Sequence, residues 1–160
     1  MTSNYAHANF LKRYEKSLIE KAIDERAKAF SPISGSQVGA AVLVYDGKLF
    51  GGSNVEFARS QNIHAEWIAA SDALKYTTAK LNLSARNLKV KMRKGLEEII
   101  AIAIVNEAGI PGCGSCRQML YEINLNMRVL GVLPNGEFKV RATLRQLYPN
   151  AYRSNDGLKI

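Results

Sequence analysis

The chain has 160 residues, of which 47% are hydrophobic, and its 22 basic and 14 acidic side chains leave a net charge of +8. That length suits one domain with a real core, and that hydrophobic content excludes a fully disordered chain. No apolar run approaches the ~18 residues of a membrane span, and the polar start MTSNYAHANFLKRYEKS lacks the apolar stretch of a secretory signal. Two cysteines are too few for a disulfide scaffold, so a reducing, cytoplasmic setting without a membrane partner is expected. The charge is uneven. Seven basic residues and no acid fall between Ala73 and Leu96, so the rest of the chain carries only +1.

In chain order, residues 8–30 read as an amphipathic helix, with Leu11, Tyr14, Leu18, Ala22 and Ile23 at three and four spacings. Ser31-Pro32 and Ser34-Gly35 break it. Val38 to Tyr45 and Lys48 to Val55 read as two strands joined at an Asp46-Gly47 turn. Helical spacing returns after Ile63, through Ala65, Ile68, Ala69 and Leu74. Ile99 to Val105 is apolar on both faces, as a central strand covered by helices should be. Cys113 to Asn124 follows as a helix, Met127 to Leu133 and Phe138 to Arg141 as strands, and Thr143 to Leu147 as a short helix stopped by Pro149. This order makes an α/β layered domain with a mixed sheet.

Two short motifs carry the chemistry: His64-Ala65-Glu66 and Cys113-Gly114-Ser115-Cys116. A working zinc site wants three protein ligands and one open position. One imidazole and two thiolates supply that set, each at the start of a predicted helix, where partial positive charge favours thiolates. Glu66 need not be a ligand and is free to take a proton from a water that the metal activates. Two plainer readings stand beside this one. A closed structural zinc site needs a fourth ligand, either an acid or His7, the only other histidine. A redox pair leaves His64 and Glu66 without a role.

A further set of residues, in order, resembles the cytidine deaminase family. It comprises Val38-Gly39-Ala40-Ala41, Gly52-Ser53-Asn54-Val55-Glu56, His64-Ala65-Glu66 and Cys113-Gly114-Ser115-Cys116-Arg117-Gln118, with Leu147-Tyr148-Pro149-Asn150-Ala151-Tyr152 near the end. The likeness runs from about Ala29 to Tyr152. The zinc halves alone are shared with other zinc deaminases. The Cys-Gly-x-Cys-Arg-Gln string with an upstream Asn-x-Glu is more specific.

The resemblance implies a three-layer α/β/α fold with a mixed five-stranded sheet, in a single domain over 1–160 with a basic insertion at about 77–96. It implies Zn2+ on His64, Cys113 and Cys116, with Glu66 as the catalytic proton carrier. Asn54 and Glu56 would hold the ribose hydroxyls, the Ala65 backbone would meet the pyrimidine edge, and Tyr152 would cover the nucleoside, in some members that of a neighbouring subunit. The implied reaction is hydrolytic deamination of cytidine or deoxycytidine to the uracil nucleoside, in the setting of pyrimidine salvage. The implied assembly is a homo-oligomer, a dimer or tetramer. Asn54 and Glu56 read equally well as caps of a strand end, Tyr152 as terminal packing, and Trp67 as core.

The sequence also departs from the family pattern. Ile33 and Ser36 stand where aromatics are usual, one of which lines the pyrimidine pocket. Gly112 stands where the proline before the first cysteine is usual, with Pro111 one step earlier. Trp67 replaces the arginine that members with three cysteine ligands use to offset charge; one neutral His and two thiolates already balance the zinc. The lost aromatics leave room for a cytosine nucleoside analogue such as an aminonucleoside antibiotic of the blasticidin S type. The alternation of Leu88, Val90 and Met92 with Lys89, Lys91 and Arg93 suggests a half-exposed arm. The segment reads first as a solvated, locally basic excursion and second as a grip for a phosphate or a polynucleotide, with Tyr76, its only aromatic, giving strand stacking little support. A zinc-stabilised binding module without turnover is the non-enzymatic reading, and it leaves Glu66 unexplained.

Overall fold

The structure is a computed structural model and describes residues 2–80 and 97–152. Its elements run α1 (Thr2–Arg26), β1 (Gly39–Val44), β2 (Leu49–Ser53), α2 (Ala65–Lys80), β3 (Ile99–Val105), α3 (Gly114–Ile123), β4 (Arg128–Val132), β5 (Phe138–Thr143) and α4 (Leu144–Leu147). The first four residues of the expected basic insertion complete α2. Residues 81–96, with the alternating basic stretch, lie outside the described residues.

Five strands form one sheet in the order β2-β1-β3-β4-β5. β3 and β4 pair in parallel, with α3 as their crossover, and the other three pairs are antiparallel. The sheet is therefore mixed, as expected. The two faces are filled by complementary sizes. Ile99, Ile102 and Ile104 of β3 pack with the alanines of α2, at 65, 69, 70 and 73. Ala101 and Ala103 of the same strand pack on the other face with Leu11 and Leu18 of α1. Side chains alternate across a strand, so β3 offers isoleucines to the alanine-rich α2 layer, and to the α1 layer two central alanines flanked by Ile100 and Val105. The helices cover both faces, giving three layers.

The first helix ends earlier than its periodicity suggests, because Phe30 leaves it for the sheet. Phe30 N–H donates to Asn54 O at 3.0 Å, and Glu56 N–H donates to Phe30 O at 2.8 Å. Pro32 disfavours helical backbone at Ser31, so the chain turns extended there. This short parallel bridge sets the 31–38 loop against the end of β2. Among the described residues no helix is long and apolar enough to cross a membrane.

Candidate active site

Three loops meet at the end of the sheet where β3 terminates. His64 immediately precedes α2, and its carbonyl accepts from Trp67 N–H at 3.1 Å. A small antiparallel bridge between Val55 and Ile63 closes the loop before it and fixes where His64 sits. Cys113 caps the N-terminus of α3, its sulfur accepting from Cys116 N–H at 3.5 Å. Cys116 lies within the first turn of that helix and is fully buried. Both sulfurs therefore sit at a helix N-terminus, where backbone N–H groups favour negative charge.

His64 Nδ1 lies 3.6 Å from Cys113 Sγ and 3.3 Å from Cys116 Sγ. The three ligand atoms all fall within 4.8 Å of one another. Zinc bonds of about 2.0–2.3 Å at tetrahedral angles place N and S ligand atoms roughly 3.5–3.8 Å apart, so the spacing fits the metal. Among the described residues these three are the only such group, and no acid joins them as a fourth ligand. The closed structural site therefore lacks its fourth ligand among these residues. Burial pushes the Cys116 thiol up, with the Glu66 carboxylate and Cys113 adding to the effect. A dication between the sulfurs reverses that balance by favouring the thiolates.

Glu66 is buried in the first turn of α2, 3% exposed. It faces the backbone of Gly112, where an added Cβ would lie 3.0 Å from Glu66 Oε1. Gly112 itself has φ +83°, a conformation that suits glycine. The proline usual before the first cysteine has its φ fixed near −65°, which this backbone cannot accept, so the departure at Gly112 has a geometric reason.

A cavity of about 380 Å³ opens above these residues, with Glu66, His64 and Cys113 in its lining together with Ala65, Asn54 and Glu56. Asn54 Oδ1 accepts from Val38 N–H at 2.8 Å, and its Nδ2 donates to Ser36 O at 2.8 Å. Glu56 Oε2 accepts from the N–H groups of Ile33 at 2.9 Å and Ser34 at 3.0 Å, and Oε1 accepts from the Ser34 hydroxyl. The Ser34 hydroxyl, then the Ser34 and Ile33 N–H groups, hold the Glu56 carboxyl below the usual carboxylate range despite some desolvation. Asn54 and Glu56 thus fasten the 31–38 loop as one wall of the cavity. Tyr152 is not brought there; it is 72% exposed, and its carbonyl accepts from Gln118 Nε2 at 3.1 Å.

The opposite wall was not anticipated from sequence. Asn106 follows β3 directly and ties the loop into α3: its Oδ1 accepts from Ala108 N–H (3.1 Å) and Ile110 N–H (3.0 Å), and its Nδ2 donates to Ile110 O (2.8 Å). Glu107 also lines the cavity and is ion-paired with Arg26 at the end of α1. Their signal is position. Loops leaving the carboxyl end of a strand in an open α/β sheet are where ligands bind.

With this geometry in hand, the likenesses to known proteins agree. Residues 12–132 match the family described as cytidine and deoxycytidylate deaminase zinc-binding region. A cytidine deaminase of Halalkalibacterium halodurans is 31% identical over 144 residues, 87% of this chain and 94% of that protein. The crystal structure of a cytidine deaminase from Burkholderia pseudomallei superposes with a TM-score of 0.69 at 32% identity, covering 86% of this chain and 98% of that one. One from Mycobacterium tuberculosis does so with a TM-score of 0.62 at 26% identity, over 87% and 97%.

The fold and the His/Cys/Cys centre define a zinc-dependent aminohydrolase. The chain belongs to the cytidine deaminase family, and its metal is zinc, held by the His64, Cys113 and Cys116 group. The polynucleotide, antibiotic and binding-module readings are not favoured by these likenesses.

Proposed function

We propose that the protein hydrolyses cytidine or deoxycytidine to the uracil nucleoside and ammonia, as its named relatives' activity suggests. The observation that carries this reading is a zinc-fitting triad beside a buried carboxylate, Glu66, that is not one of the ligands. Zinc supplies the activation of the attacking water. Glu66 takes one proton of that water and passes it to the ring nitrogen, where it stays in the uracil product, and then moves the second, from the newly formed hydroxyl, to the departing amine. A C–O bond forms at the ring carbon bearing the amine, the C–N bond breaks, and one water is consumed per ammonia released.

The remaining residues position the nucleoside. The Ala65 backbone, at the start of α2, meets the pyrimidine edge. Asn54 and Glu56 first fix the 31–38 loop, and the acceptor capacity left on Glu56 serves the ribose hydroxyls.

The working unit is proposed to be a cytoplasmic homo-oligomer of single-domain subunits, each spanning 1–160 with its insertion. His64 and Cys113 are exposed, and Ile33, Phe57, Ile63, Trp67 and Ile110 present apolar surface to solvent. Such a surface suits a subunit contact that shields the chemistry from bulk water. Tyr152, exposed and away from its own cavity, is assigned to covering a neighbouring subunit's nucleoside.

The test is loss of cytidine's ultraviolet absorbance with zinc-replete protein, run beside Glu66→Gln. Wild type is expected to turn cytidine over. Glu66→Gln is expected to keep one zinc per chain and lose on the order of 10²–10⁴-fold in rate. Wild-type turnover in that variant would overturn the role of Glu66. No turnover by the zinc-replete wild type would overturn the substrate.

A further inference from the structure

The described residues lining the cavity include three carboxylates, Glu56, Glu66 and Glu107, and no lysine or arginine. The metal group does not offset them, because Zn2+ with two thiolates and one neutral imidazole sums to zero. Two of the acids are already committed. Glu66 is buried beside the metal, and Glu56 is fastened to the 31–38 loop. Glu107 has no such task, yet its place is doubly fixed. Its ion pair with Arg26 reaches in from the last residue of α1, and Asn106 holds the loop that follows it. Its side chain is 74% exposed, which puts it at the mouth of the cavity rather than the floor.

The reaction fixes one end of a nucleoside in such a cavity. The ring carbon bearing the amine must reach the buried metal end. The glycosidic nitrogen lies across the ring from that carbon, so the sugar and its 5′ substituent point to the mouth. Arg26 is not among the lining residues, so the carboxylate of Glu107 is the member of this ion pair that lines the cavity. We propose that Glu107 is a specificity-determining residue that reads charge at the substrate's 5′ position, admitting neutral and cationic groups and repelling a phosphate. This rests on the nucleoside reading above and adds to it which 5′ substituents the site accepts.

The test measures binding of three product-type ligands by calorimetry at low salt: uridine, uridine 5′-monophosphate and 5′-amino-5′-deoxyuridine, whose amine is protonated at pH 7. Wild type is expected to bind the amine more tightly than uridine and the monophosphate on the order of tenfold more weakly. Glu107→Gln is expected to pull both ratios toward one, Glu107→Lys to invert their order, and 0.5 M NaCl to narrow the wild-type spread. Glu20→Gln, which removes an exposed charge paired with Lys16 on α1, controls for net charge and should leave both ratios as they are. Equal binding of all three ligands by wild type would overturn this inference alone, as would tighter binding of the monophosphate or unchanged ratios in both Glu107 variants. Failure of wild type to bind any of them would overturn the proposed function, and this inference with it.

Discussion

At the scale of single residues, the site depends on atoms that small substitutions move. At Gly112 an alanine would be strained by φ +83° and would place its Cβ 3.0 Å from Glu66 Oε1. The backbone strain costs about 1 kcal/mol or more, but the displaced carboxylate should cost more in rate. Gly112→Ala is therefore expected to lose at least tenfold in kcat while its melting temperature falls by only a few degrees, read by cytidine turnover and thermal melts on the same sample. Glu56 gives a second prediction, on pH. Its folded pKa is depressed by the Ser34 hydroxyl and two backbone N–H groups. The stability it contributes is therefore present above the unfolded carboxylate value of about 4.3 and is lost as pH falls through the lower folded value. Melting temperatures of wild type and Glu56→Gln, measured from pH 6 to pH 3, should accordingly converge toward the acid end. A gap that stays constant over that range would show that Glu56 acts through shape and not charge.

At the scale of elements, what could be read from sequence depended on whether the signal was local. β3 was legible residue for residue, because IIAIAIV carries no polar position on either face. The first hairpin was legible from Asp46-Gly47, whose glycine has φ +92°. The end of α1 was not, since Phe30 is drawn out of the helix by hydrogen bonds to residues 54 and 56, far along the chain. The metal group was legible from the short Cys113–Cys116 spacing and the His64-Ala65-Glu66 motif, each at a helix start, although His64 lies 49 residues from Cys113 and only the fold brings them together. Glu107 and Asn106 were not, because their roles come from where β3 ends and from Arg26, 81 residues away. Close packing between elements was hidden too. At Gly52 of β2 an added Cβ would meet Ala65 O at 2.5 Å and Ala69 N at 2.7 Å, both backbone atoms of α2 that cannot swing aside. Gly52→Ala should thus push α2 from the sheet, destabilise the protein by about 1–3 kcal/mol, and shift His64 with the helix. Urea unfolding and zinc affinity should fall together; a stable variant with normal zinc affinity would mean that α2 can slide without moving the site.

At the scale of the whole molecule, zinc joins parts of the fold that the sheet alone leaves loosely connected. His64 stands at the start of α2 and Cys113 and Cys116 at the start of α3, 49 and 52 residues further on. Both helices pack on the same face of the sheet, so their N-termini meet at one edge of one core. Without metal, burial first and then Glu66 and Cys113 keep Cys116 a neutral thiol, and a dication there would make thiolates of the pair. Metal binding is therefore coupled to the stability of the entire domain. At a free zinc concentration 100 times its Kd the coupling is worth about 2.7 kcal/mol. For a chain of this length that corresponds to a melting temperature raised by roughly 5–11 °C. Stripping the metal with a chelator should lower the melting temperature by that amount, and adding zinc back should restore it. Cys113→Ala should melt near the metal-free temperature and respond little to either treatment, because it has lost the sulfur that caps α3 and links it to His64. A wild-type melting temperature that stays the same once metal analysis shows the zinc is gone would mean that the unfolded chain holds zinc as tightly as the folded one, and that the metal adds nothing to the stability of the domain.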